Sequence, residues 1–166
     1  SIRLSTDGFS FSIYNPIHDN SLSTIEKETD TSLSLTANLK ATFRESDFLN
    51  HSYKRVNIMM ADKRFTIVPL ELFEEEQAEL LFYHNHQKRE NETVICNILK
   101  KNNVAIIFGM DKSAHTFLSE QYPEAHFYSQ STPLIDYFSV KSRLGNSKKM
   151  YVSIHREAID IYCFER

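Results

Sequence analysis

The chain has 166 residues, 41% apolar and 25% charged, with 19 basic and 22 acidic side chains for a net charge of −3. That length suits one well-buried core, and the near-neutral balance argues against general nucleic-acid binding and against attraction to an anionic membrane. No apolar run reaches the ~18 residues of a membrane span, and Ser1–Ser12 lacks the basic region and apolar stretch of a signal peptide, so no membrane insertion is expected.

Taken in chain order, Ile2 to Tyr14 reads as a hairpin. Ile2 and Leu4 alternate with polar residues, Asp7-Gly8 makes the turn, and Phe9, Phe11 and Ile13 alternate again. Asn15-Pro16 ends it, and the polar stretch His18 to Thr31 reads as a surface loop. Leu35, Leu39 and Phe43 recur at helical spacing and predict an amphipathic helix over roughly 33–49. Arg55–Met60 and Arg64–Val68 read as two strands joined by a tight turn at Ala61-Asp62-Lys63, with Pro69 ending the second. Glu71–His84 reads as a second helix, with Leu70, Phe73, Leu80 and Leu81 on its apolar side and acidic residues in its first turns.

Gln87–Glu92 is a charged turn region, and Thr93–Leu99 with Val104–Phe108 forms a further strand pair. Asp111 is placed to cap a third helix that carries Ala114, Phe117 and Leu118 and stops at Pro123. A short strand, Ala125–Tyr128, precedes a fourth helix that starts at Thr132-Pro133 and runs to about Leu144. Lys141 and Arg143 lie in its last turn, and Gly145 follows. Tyr151–Phe164 is a final strand pair. Strands alternating with helices in this order predict an α/β fold with a mixed sheet and flanking helices.

Three glycines in the whole chain leave few places for a phosphate-cradling loop, where about 12 would be usual at ~7% usage. Neither a Gly-x-Gly-x-x-Gly nor a Walker-type Gly-Lys-Ser/Thr occurs. The two cysteines, Cys96 and Cys163, lie far apart in apolar strand-like runs. They read as buried free thiols in a reducing cytoplasm, not as a disulfide or a zinc site.

An internal similarity is also present. Ile2, Leu4, Phe9, Phe11 and Ile13 fall on Val152, Ile154, Ile159, Ile161 and Cys163 when the chain is shifted by 150 residues. Both stretches read as hairpins around an acidic-small turn, Asp7-Gly8 or Glu157-Ala158. Residues 1–148 are therefore expected to form a first lobe and 149–166 the opening hairpin of a second, which would need cover from elsewhere or leave the chain prone to self-association.

Three segments carry a family resemblance: Phe65–Phe73, Asn103–Phe108 ahead of the third helix, and Tyr151–His155. On them the chain resembles the actin-like proteins of bacterial type IV pilus and type II secretion assembly. It looks more closely like a bacterial family of the same fold with no assigned activity. The resemblance implies an actin-like ATPase fold in the ribonuclease-H-like group. It also implies that each hairpin of an active member carries an Asp-x-Gly motif, whose carboxylate organises metal and water. At the matching positions stand Arg3 and Ser5 in the first hairpin, and Ser153 and His155 in the second. The acids and glycines are absent, which removes the charge neutralisation and water positioning that phosphoryl transfer needs.

Other chemistry-bearing groups read as structural. His84-Asn85-His86 resembles a metal tripeptide, but neighbours two apart do not share a helix face. Asp111, Ser113 and His115 are too close in sequence to assemble a triad without an elbow and oxyanion donors. Glu74-Glu75-Glu76 reads as a solvated helix face. Tyr14, Tyr53, Tyr122 and Tyr137 are candidates for a surface contact patch. No catalytic, cofactor-binding or metal-ligating set is assigned. The expectation is a non-catalytic scaffold or protein-interaction module in the bacterial cytoplasm. A regulator that binds ATP with little or no hydrolysis is the alternative, and a hydrolase with an unrecognised site is a third, weaker one.

Overall fold

The computed structural model describes residues 1–5, 8–17, 20–144, 147–154 and 159–164. Its central sheet has five strands in the order β3-β2-β1-β4-β8. Strands β1 (Ile2–Leu4), β2 (Gly8–Asn15) and β3 (Ser21–Glu28) form an antiparallel meander, while β4 (Asn57–Met60) and β8 (His126–Ser129) run parallel to β1. Alternation along β1 and β2 sends Ile2, Leu4, Phe9 and Phe11 to one face of this sheet. Helices α1 (Leu35–Glu45) and α3 (Lys112–Gln121) cover that face with Leu39, Phe43, Ala114 and Leu118, building the largest core.

A second, antiparallel sheet, β5-β7-β6, is inserted between β4 and α3. Its middle strand β7 (Val104–Asp111) is covered on both faces, so its sequence is a nearly unbroken apolar run. Ile107 packs with Val68 of β5 (Phe65–Pro69) and with Ala78 and Phe82 of α2 (Ala78–Asn85). Ile106 packs on the other side with Ile135 of α4 (Ser131–Arg143), while Phe108 and Met110 join the largest core. Asn97 in β6 (Glu92–Leu99) joins the two sheets by imitating a strand: its side chain donates to Phe127 O at 2.9 Å and accepts from Ser129 N at 3.0 Å. Thr132 Oγ1 donates to the same Asn97 oxygen at 2.7 Å. A half-buried amide in an apolar strand is tolerated because both its donor and its acceptor are used.

The last hairpin, β9 (Met150–Ile154) with β10 (Ile159–Cys163), is a separate two-stranded sheet. Tyr151 and Tyr162 face inward onto Phe138 of α4, and Asp160 accepts from Gln130. The opposite face carries Met150, Val152, Ile154, Ile159, Ile161 and Cys163, all exposed. No helix among the described residues is long and apolar enough to cross a membrane.

Several sequence-based expectations need correction. The stretch read as a surface loop over 18–31 contains β3, an edge strand whose exposed side chains give no burial signal and whose backbone is held by pairing with β2. Strands β4 and β5 follow each other closely but do not pair: β4 lies between β1 and β8, and β5 pairs with β7. The first helix ends at Glu45 and is followed by a separate 3-10 turn over Asp47–Asn50. The second helix begins only at Ala78, after two 3-10 turns, and Leu80 points to solvent while Ala78 and Phe82 are buried. Strand β7 runs on to Asp111, and α4 starts at Ser131, ahead of the expected Thr132 cap. Cys96 is half-buried and Cys163 exposed, against the expected burial of both. Asp7, Gly145, His155, Glu157 and Ala158 lie outside the described residues.

Candidate functional site

Parallel strands end together, and the carboxyl ends of β1 and β4 open onto a crevice of about 380 Å³. Ser5 lines it just after β1, Asp62 just after β4, and Asp111 at the end of β7, with Asp30, Asn91 and Glu92 beside them. Position and polarity make this the place where ligand chemistry would be sought. Four of its carboxylates, Asp30, Asp62, Glu92 and Asp111, are already engaged by neighbouring groups, and a fifth, Glu90, is exposed.

Asp111 caps α3 as its place in the sequence predicts: its Oδ1 accepts from Ala114 N at 2.7 Å. The same oxygen accepts from Thr36 Oγ1 at 3.0 Å, and Oδ2 accepts from Asn91 Nδ2 at 2.9 Å. Asn91 takes a left-handed backbone with φ 55°, a conformation that asparagine tolerates better than most residues. Asp30 is bonded by the backbone and hydroxyl of Ser32, which hold its carboxyl below the usual range. Asp62 accepts from Arg64 N at 3.2 Å and faces Arg89 at 3.8 Å.

Glu92 forms a bidentate pair with Arg64 at 2.9 and 2.8 Å, and both side chains are buried. Arg64 also donates to Gln87 O at 3.0 Å and lies over the Phe82 ring. Gly109 stands opposite this pair, where a Cβ would run into the Glu92 carboxylate. Removing one partner of such a pair leaves a buried charge and costs about 3–5 kcal/mol. Residue spacing gives no warning of the pair: Glu92 read as part of a charged turn and Arg64 as the start of a strand.

Of the residues singled out by sequence, Ser5 lines the crevice, and its N–H and Oγ both donate to Gly8 O, at 3.0 and 3.2 Å. Arg3 is half-buried on the β1 face opposite Ile2 and Leu4, and does not line the crevice. Ser153 lies across from Asp160 in the last hairpin, far along the chain, and also does not line it. His86 is not part of a frayed helix end: its Nε2 contacts Phe65 O at 3.1 Å and its ring packs on Phe82. His84 and Asn85 are exposed. Among the described residues, no group of three or more His, Cys, Asp or Glu side chains is arranged to hold a metal ion.

Asp111, Ser113 and His115 do not converge as a catalytic set. Ser113 accepts from Asn91 at 2.9 Å, and His115 packs at a tilt against Phe127, where burial holds its pKa below 6.5. Glu74, Glu75 and Glu76 are solvent-exposed. Tyr14, Tyr53 and Tyr122, three of the four tyrosines proposed as contact residues, line one cavity at the other end of the central sheet, and Tyr137 stands apart and exposed on α4.

The chain belongs to the family described as Protein of unknown function (DUF3822), which matches residues 1–166. A crystal structure of a Bacteroides thetaiotaomicron protein with actin-like ATPase fold and unknown function is 79% identical to it, with a TM-score of 0.92. The match covers 99% of this chain and 64% of that one, so the chain spans just under two thirds of its relative's length. The fold is therefore the actin-like ATPase fold, a mixed sheet with flanking helices. No curated protein matches the chain, and none of the comparisons links it to pilus or secretion assembly.

Proposed function

We propose that this member of the DUF3822 family is a non-catalytic scaffold or protein-interaction module, built on an actin-like ATPase fold and working in the bacterial cytoplasm. One observation carries the reading: four carboxylates that line the crevice at the carboxyl ends of β1 and β4, Asp30, Asp62, Glu92 and Asp111, are engaged in a turn, ion pairs and a helix cap, while Arg3 and Ser5 occupy the positions where an active relative would hold its Asp-x-Gly motif. A carboxylate spent on capping or on a buried arginine cannot also organise a metal ion and water without loosening the fold. Free cysteines fit a reducing compartment.

The second hairpin is part of the same reading. In the first, Ile2 faces Phe11 and Leu4 faces Phe9; in the second, Val152 faces Ile161 and Ile154 faces Ile159. Both pairs repeat at the 150-residue offset seen in the sequence. We read β9–β10 as the opening of a second lobe, whose cover comes from polypeptide of the kind that the longer relative possesses beyond the matched region.

A regulator that binds nucleotide without turnover is the second reading, favoured by the crevice itself, which lies where α/β sheets bind ligands. A thermal melt with millimolar Mg-ATP separates the two. Saturation at a hundredfold excess over Kd would stabilise the protein by about 2.7 kcal/mol, a shift of several degrees. The scaffold reading expects no shift, and a rise of that size would replace it with the second.

A further inference from the structure

A larger cavity, about 780 Å³, opens at the end of the central sheet opposite the crevice, where β1, β4 and β8 begin. Its volume falls in the range of small-molecule sites, about 300–1,000 Å³. Phe11 and Leu49 form buried walls. Three tyrosines add rings whose hydroxyls are tied down. Tyr53 donates to Phe48 O at 2.7 Å, Tyr122 to Leu49 O, and Tyr14 to Asn20 Oδ1 at 3.0 Å. Rings held in this way present apolar surface with little further ordering to pay on binding. Burial pushes the Tyr122 hydroxyl up to about 12, so this wall stays uncharged.

The lip is apolar but open: Ile17 is 85% and Leu22 66% exposed. Lys54 and Arg55 line the cavity and are exposed; among the described residues they have no ion-pair partner, and Glu124 is the single lining carboxylate. Asn57, also in the lining, keeps a buried Oδ1 without a hydrogen-bond partner.

We propose that this cavity binds an amphipathic monocarboxylate, its aliphatic or aromatic body against Phe11, Leu49 and the tyrosine rings and its carboxylate at Lys54 and Arg55. The excess of positive charge at an apolar cavity selects an anionic head on an apolar body over a cationic one. The site is separate from the crevice, and its occupancy does not depend on the scaffold reading.

The test is titration calorimetry of the protein with decanoate and with decyltrimethylammonium, followed by amide NMR with decanoate. The proposal expects saturable binding of one decanoate per chain, weaker binding of the cation, and shifts centred on Leu22, Tyr53 and Asn57. Lys54→Glu and Arg55→Glu together should weaken decanoate about fivefold, the scale of exposed ion pairs. Both positions are exposed and, among the described residues, without an ion-pair partner, so the variant should fold. Ile161→Lys, on the bare face of the last hairpin, should leave binding unchanged and serves as a control for adsorption there. The proposal is overturned if decanoate does not saturate, if the cation binds as tightly, if the charge-reversed variant binds as well, or if the shifts map to β9–β10.

Discussion

The two hairpins of this molecule share a pattern and a register but not an environment. In the first, Ile2, Leu4, Phe9 and Phe11 are at most 4% exposed, because α1 and α3 lie across them. In the second, Val152, Ile154, Ile159 and Ile161 sit at the same places in the pairing and are 49–77% exposed. The alternation that defines a hairpin's apolar face is thus a property of the strand alone, whereas burial of that face is supplied by other segments. Covering such a side chain is worth about 1.5–3 kcal/mol, so the first hairpin is held largely by its cover and the second by its inner face on Phe138 and Ile135.

Truncating matched residues should separate the two hairpins most sharply. Leu4→Ala should cost about 3 kcal/mol or more, the scale of a cavity in a closed core. Ile154→Ala, its counterpart, should stay within about 0.5 kcal/mol, as exposed substitutions do. Urea denaturation of both variants measures the difference, and equal losses would show that the second face is covered in solution.

Thiol chemistry reports on the same contrast. Cys163 lies on the bare face and should react in the native protein with an ordinary thiol reagent. Burial, with Glu75 nearby, raises the Cys96 thiol to about 11, two units above its ordinary value of 9.0, which lowers its thiolate fraction. Its labelling should be about a hundredfold slower on that account. In a protein carrying the proposed second lobe, Cys163 should become protected while Cys96 is unchanged. Continued fast labelling of Cys163 there would remove the second-lobe reading.

The smallest effect concerns the cover itself. His115 lies on α3 and packs against Phe127, and burial lowers its pKa from 6.5, so the folded state prefers the neutral ring. A proton therefore binds the unfolded chain more readily, and the stability that His115 contributes is present above pH 6.5 and lost as the pH falls through the lowered folded value. His115→Gln should flatten that loss in melts taken across this range. An unchanged pH profile in the variant would mean that the ring is too solvated to matter.

Much of the fold was legible from residue pattern. Apart from β3, the order of elements, the Asp111 cap, the basic last turn of α4 and the apolar alternation of both hairpins follow from spacing, capping chemistry and period-two patterning. Strand β3 was not legible. Its only apolar residues, Leu22 and Ile25, are three apart, and it exists because its backbone pairs with β2 along eight residues. The irregular start of α2 was hidden by a run of glutamates that suits a helix N-terminus but makes no buried contact there. The crevice was legible only as an absence of acids at expected positions. Which carboxylates line it, and that the Arg64–Glu92 pair stands beside it, depends on segments far apart in sequence.

The sequence by itself determined what each segment can be: where helices are capped, which strand faces are apolar, and that only three glycines are on hand for turns and close approaches. Those properties are local, set by backbone sterics, capping hydrogen bonds and side-chain alternation. The tertiary structure alone decided that β4 leaves its neighbour β5 to run parallel to β1, that Asn97 ties one sheet to the other, and that three tyrosines from separate segments wall one cavity. Such choices are settled by which apolar faces can be buried together and which polar groups can be satisfied once they are, and both are properties of the whole chain.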